Sequence, residues 1–313
     1  MTNEQSLKTL IRAIQLSQGE FSLILARCNY FTGQKQITQQ LQDQCSLDIQ
    51  TLILQPSVTR LYSTIIEYIS YSNSAVQKTS GISPATDKRY DGALVVFGLD
   101  SITHLDQLLT TTNQIREEFR KLPFPLILWV TDNLRRKLIR LVPDFESWAT
   151  QVDFAIATPD LIARIQQTAD TIFTKVLNAG AGRFLDNAVF TSAVGSRWGS
   201  ELESALNDLH RRGEPLTPQV EAKLHFLLGR DAQANQQMEK ARQYYQQSLA
   251  FWQQGDYLEQ QGCLLFYLGL WWRCYAVLHR ADYWRSCYRA KDYFQRCVRV
   301  FQQGNRPDLA ARF

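Results

Sequence analysis

The chain has 313 residues, 45% of them hydrophobic and 20% charged, with a formal net charge of +4. That length suits two domains with separate cores, and the composition excludes a collagen-like, coiled-coil or wholly disordered chain. So small a charge over this length does not by itself imply a nucleic-acid or membrane partner, and no apolar run approaches the ~18 residues of a membrane-spanning helix.

The N-terminus, MTNEQSLKTLIRAIQ, lacks a basic segment followed by a continuous apolar run, so it does not read as a secretory signal. Instead Leu7, Leu10, Ile11 and Ile14 fall on one face of an amphipathic helix that Gly19 stops. FSLILARC (21–28) is a short apolar run of the kind buried in a parallel sheet. A polar turn leads to a helix marked by Ile37, Leu41 and Cys45, a second strand within LDIQTLILQP, and a helix marked by Leu61, Ile65, Ile66 and Ile69.

Residues 72–90 are dominated by serine, threonine, glycine, proline and charge, which predicts a flexible excursion on the rim of the sheet. The alternation then resumes. GALVVFGLD is a strand, 102–122 a helix, FPLILWVTD a strand and LRRKLIRLV a short helix. The aromatic pair of PDFESW is expected to close the end of the sheet. VDFAIATPD is the fifth strand, with Pro159 favouring the start of the helix LIARIQQTADTIFTKVL. Strands alternating with helices predict an α/β fold, a mostly parallel sheet covered on both faces.

From about residue 180 the strand pattern stops. Residues 181–215 read as a linker and a helix, and 216–313 as an all-α segment containing a repeat. Ala241, Tyr245 and Ser248 align with Ala290, Phe294 and Cys297 at an offset of 49 residues. A small residue, an aromatic four on and another small residue three further on is how one helix packs closely against its partner. Leu228-Gly229 precedes the first set and Leu268-Gly269 the second, where Ala290 arrives nine residues late, so longer helices are expected there. This spacing resembles the tetratricopeptide repeat, and it implies a protein partner bound through the repeats, with self-association as a further expectation. The segment's many aromatics, from Phe251 to Phe294, are expected to form the repeat core. The pattern stops at Phe313, so either more chain or a partner is expected to cover the end of the stack.

The α/β part has two elements of a nucleotide site. Asp100 ends a Walker B-like strand, and Thr131, Asp132 and Asn133 follow the next strand where a γ-phosphate sensor would stand. The phosphate loop is the missing element. Only Gly33 and Lys35 of NYFTGQKQ echo GxxxxGK[ST], with Gln36 where the hydroxyl should be. Within an α/β domain taken as 1–180, roughly residues 15–180, most closely from FSLILARC through NQIREEF and PFPLILWV to PDFESW, resemble the module of STAND-class signal-transduction ATPases with decayed nucleotide motifs. The resemblance implies a sheet in P-loop NTPase-like order and a sensor or scaffold of bacterial signalling or defence.

The leading expectation is therefore a non-catalytic or weakly nucleotide-binding cytoplasmic scaffold, with no catalytic residues, no resident cofactor and no membrane attachment. One alternative is an active ATPase using Lys35 and Asp100 with ATP and Mg2+, with Gly33 and Thr131 as further nucleotide contacts. Another is a nucleic-acid module using the basic helix at 135–140, where Arg135 and Arg136 stand with Lys137 and Arg140. Asn113 and Arg116, three apart on one helix, are candidates for contacting a ligand or a neighbouring subunit. The six cysteines form no CxxC, and the four histidines are scattered, so no zinc site or nucleophile motif is expected.

Overall fold

The computed structural model describes residues 2–80, 92–181, 196–213 and 215–313. The chain divides into two compact units, Met1–Ile156 and Ala157–Phe313.

The first unit is built on five parallel strands: β1 (Ser22–Arg27), β2 (Asp48–Ile53), β3 (Gly92–Phe97), β4 (Pro125–Val130) and β5 (Thr150–Asp153). Their order is β2-β3-β4-β1-β5. Composition decides who is central. β3 and β4, GALVVF and PLILWV, are buried along their whole length, as is the LILA of β1, because helices cover both faces. The edge strands β2 and β5 carry Asp48, Gln50, Gln151 and Asp153, polar residues that suit a rim and discourage edge-to-edge pairing.

The helices are α1 (Asn3–Leu16), α2 (Phe31–Gln44), α3 (Leu61–Ser80), α4 (Leu105–Gln114), α5 (Arg116–Phe119), α6 (Asp132–Leu141) and α7 (Pro143–Ser147). A capping box between Thr2 and Gln5 starts α1. Two differences from the sequence reading stand out. Helix α3 runs on to Ser80, so residues 72–80 of the expected excursion are helical; no glycine or proline interrupts them, and extending an existing helix is easy where starting one is not. The remainder of that excursion, 81–90, lies outside the described residues. The expected helix over 102–122 is divided at Ile115, whose backbone leaves helical geometry between α4 and α5. Phe145 of α7 packs against Phe119 and Trp148, with ring centroids 4.9 and 6.2 Å away.

The strand order fixes where a ligand would go. The β1–β2 connection runs to one side of β1 and the β4–β5 connection to the other, so right-handed crossovers put their helices on opposite faces. Adjacent strands β1 and β4 therefore bracket the topological switch point, and it is outside the C-terminal ends of such strands that sheets of this kind form their ligand crevice.

The second unit is helical: α8 (Thr158–Ala179), α9 (Ser196–Arg212), α10 (Pro218–Ala234), α11 (Met238–Trp252), α12 (Leu258–Leu278), α13 (Tyr283–Gln303) and the short α14 (Pro307–Ala310). Helix α8 packs on α10, where Phe173 stacks on Phe226 at 4.2 Å and Asp170 pairs with the buried Lys223 at 2.6 Å. Helix α12 is buried without a break from Gly262 to Trp272, as expected of a helix that is apolar all round.

The repeat appears as two helical hairpins, α10–α11 and α12–α13. A Cβ on Gly229 would lie 2.6 Å from the ring of Tyr245, and one on Gly269 would lie 2.5 Å from the ring of Phe294. The two glycines are thus equivalent niches for equivalent aromatics. The nine-residue delay is accounted for. Helix α12 runs four residues further past its glycine than α10 does, the connection is one residue longer, and α13 runs four residues further before its aromatic. The second hairpin therefore projects beyond the first.

Candidate functional site

Because all five strands are parallel, the residues following β3, β4, β1 and β5 share one edge of the sheet. At the switch point that edge is filled by the protein's own polar side chains. Asp132, the first residue of α6, accepts from Arg27 Nη1 at 2.7 Å and from Asn29 Nδ2 at 2.9 Å. Its backbone N–H donates to Asn29 Oδ1 at 2.8 Å. Arg27 also donates from Nε to Asp153 Oδ1 at 2.9 Å, joining β1 to both neighbouring strand ends. Desolvation favours loss of the Arg27 proton, but hydrogen bonds to Asp132 and Asp153 outweigh it and hold the guanidinium more firmly charged than usual. Asn29, at 5% exposure, has both ends of its amide engaged.

The connection from β1 to α2 consists only of Cys28, Asn29 and Tyr30. A phosphate cradle needs a longer loop whose backbone N–H groups face inward. Gly33 lies in the first turn of α2 rather than ahead of it, and a Cβ there would stand 3.1 Å from Cys28 Sγ and 3.3 Å from Ile156 Cδ1. Its place is explained by close packing of helix on sheet. Lys35 is exposed, with Nζ 4.7 Å above the Phe31 ring. Asp100 lies in a 3₁₀ turn beyond Gly98, a glycine at φ 92° in the left-handed region, and is half-buried. Thr131 is buried and caps α6, its hydroxyl accepting from the Leu134 N–H at 3.3 Å.

The basic helix is largely paired internally. Arg135 donates to Gln151 and lies 4.0 Å from Asp153, Arg136 donates to the Asp132 carbonyl at 3.3 Å, and Lys137 binds Asp106 at 2.7 Å. Asn113 and Arg116 sit at the α4–α5 junction, which leads into the N-terminal end of β4 and so lies away from the crevice. Arg116 donates to the Asn113 carbonyl at 3.1 Å and approaches Asp144 at 3.7 Å. Among the described residues, no group of three or more His, Cys, Asp or Glu is placed to hold a metal, and no helix is long and apolar enough to cross a membrane.

The chain matches no family model and no curated protein. Its own geometry is therefore the guide to function. A second feature of that geometry lies in the helical unit, at the projecting end of α12–α13. There Trp271 and Tyr275 of α12 and His279, the residue that follows the helix, stack in succession, with centroids 5.1 and 4.0 Å apart. Beside them a cleft of about 290 Å³ is lined by Arg242, Trp271, Trp272, Asp282, Arg285 and Arg289, among others. Arg242 lies over Trp271 at 5.3 Å and Arg289 over Trp272 at 4.5 Å.

Not every aromatic of this segment is core. Tyr245, Trp252, Tyr267 and Trp271 are fully buried, but Tyr283, Trp284 and Tyr288 face solvent because the longer hairpin outruns its neighbour. The sequence held a signal for this in the nine extra residues. It held none for the network around Asp132, which joins the start of α6 to Arg27 and Asn29 at and just after the end of β1, 105 and 103 positions earlier.

Proposed function

We propose that this chain is a non-catalytic scaffold or sensor, whose α/β unit has lost nucleotide hydrolysis and whose helical unit docks a protein partner. The observation that carries the first half is the tie of Arg27 and Asn29 to Asp132. It occupies the crevice at the switch point with charge-assisted hydrogen bonds, where a nucleotide's phosphates would need room and a free donor set. The three-residue β1–α2 connection supports the same reading.

Within this proposal, the α/β unit is a STAND-like module with a P-loop NTPase ancestry, and the hairpins are tetratricopeptide-type repeats. The strand order and the matched Gly229–Tyr245 and Gly269–Phe294 niches are compatible with both. A cytoplasmic role in bacterial signalling or defence follows from the resemblance alone.

Isothermal titration of the full chain with ATP, with and without Mg2+, tests the reading. The expected outcome is no binding in the micromolar range. Micromolar ATP binding together with turnover abolished by Asp100→Ala would show an ATPase instead.

A further inference from the structure

Five large apolar side chains are exposed within twelve residues at the tip of the second hairpin: Val277, Leu278, Tyr283, Trp284 and Tyr288. Trp284 is 83% and Tyr288 76% exposed, four apart on one face of α13. Single exposed apolar residues are ordinary, but a contiguous group rimmed by charge marks an interaction surface. From Arg273 to Lys291 the chain carries five cations against the single carboxylate Asp282.

The cleft beside the tip adds direction to that charge. Arg285 and Arg289 form no ion pair among the described residues. Arg289 is instead braced by the face of Trp272, which holds its guanidinium without consuming its hydrogen-bond donors. The Nε of Arg242 is buried with no hydrogen-bond partner among the described residues, although its Nη2 binds Glu239 at 2.8 Å. Arg285 and Arg289 are exposed, and guanidinium groups with their donors unspent favour bidentate binding of carboxylate.

We propose that this tip and cleft dock an acidic amphipathic helix of a partner protein, its apolar face over Trp284 and Tyr288 and its carboxylates on Arg285 and Arg289. The proposal rests on the reading of the helical unit as a docking module. Charge complementarity selects the occupant. A second copy of this chain would set like charges against each other. Nucleic acid would gain from the arginines and aromatic rings, but it offers no apolar face to the exposed Val277 and Leu278, which an amphipathic helix does.

The test is selection of helical peptides from a display library on the immobilised full chain. The winners are expected to combine Glu or Asp with Leu, Phe or Trp at i, i+3/i+4 and i+7. Synthetic versions should bind more than about tenfold more weakly to Trp284→Ala and to the double variant Arg285→Glu/Arg289→Glu, as for residues at the centre of an interface. Trp284→Ala should leave the urea midpoint unchanged, because the side chain is exposed. Winners without acidic residues would overturn the proposal. So would Trp284-dependent binding of a twenty-residue oligothymidylate or of phosphatidylserine vesicles in place of any acidic peptide. Peptides that bind yet ignore both variants overturn this surface and leave the docking reading standing. Nucleotide binding by the α/β unit, read by the separate titration, overturns the scaffold reading and leaves this surface to be decided by its own variants.

Discussion

Arg27 donates from Nη1 to Asp132 Oδ1 at 2.7 Å, tying the end of β1 to the first turn of α6 across the switch point of the sheet. Both side chains keep about a quarter of their exposure, so solvent screens the pair. Its removal nevertheless leaves Asn29 buried with its amide donor unpaired. Asp132→Ala should therefore cost about 1–3 kcal/mol, the penalty of an orphaned buried polar group, in urea unfolding of the full chain. Asp132→Asn keeps an acceptor for either Asn29 or Arg27 and should cost less. An Asp132→Ala variant as stable as the parent would mean that the network contributes no stability.

The two glycine niches predict a matched pair of effects in the helical unit. Alanine is normally the better helix former by about 1 kcal/mol, so a glycine inside a helix needs a reason. At Gly229 the reason is the Tyr245 ring, and at Gly269 the Phe294 ring. Gly229→Ala and Gly269→Ala should each destabilise by about 1–3 kcal/mol, as overpacking outweighs propensity. Shrinking the partner should relieve the clash. Gly229→Ala/Tyr245→Leu is expected to cost less than the two single changes added together, which a double-mutant cycle in urea would measure.

How much of this was readable beforehand follows from the range of each interaction. The central strands were legible because a strand covered on both faces must be a continuous apolar run, as LILA, ALVVF and LILWV are. The hairpin repeat was legible because close helix packing recurs at fixed local spacing around Tyr245 and Phe294. The filling of the crevice was not. Arg27 and Asp132 lie 105 positions apart, and an arginine at a strand end carries no local mark of its partner. Gly33 and Lys35 looked like remnants of a phosphate loop only because a short motif says nothing about where its helix begins; here the helix already includes both. The outward turn of Trp284 needed the hairpin lengths to be known, since the same side chain on a shorter hairpin would have neighbours.

Acid should weaken the helical unit through His225. Burial holds its imidazole below the ordinary value of 6.5, against a smaller upward pull from Glu221, while His210 adds to the lowering. The unfolded chain then takes up the proton first as pH falls. Stability contributed by the neutral folded form is complete above about 6.5, declines as pH drops towards the folded pKa, and levels off below it. Asp231 acts with the opposite sign and at lower pH, because burial raises its carboxyl and the folded state keeps that proton longer. Urea midpoints at pH 7.5 and 5.5 should differ less in His225→Phe than in the parent. An unchanged difference would show that His225 does not set the slope.

The thiols offer a way to read the two units separately. Burial pushes Cys297 up to about 12 and Cys263 well above its ordinary value, so neither supplies much thiolate at pH 8. Cys28 is buried in the other unit, at 1% exposure, whereas Cys45, Cys274 and Cys287 are only partly covered. A disulfide reagent such as DTNB should therefore modify Cys45 and Cys287 quickly, Cys274 more slowly because burial raises its thiol, and the three buried ones at rates limited by opening of the structure. Gly269→Ala loosens the α12–α13 hairpin that holds Cys263 and Cys297, so it should speed both of those thiols and leave Cys28 at its original rate. Asp132→Ala should do the reverse, because the network it breaks is held by Arg27 and Asn29, on either side of Cys28. Equal acceleration of all three buried thiols by either variant would mean that the two units open as one cooperative body rather than independently.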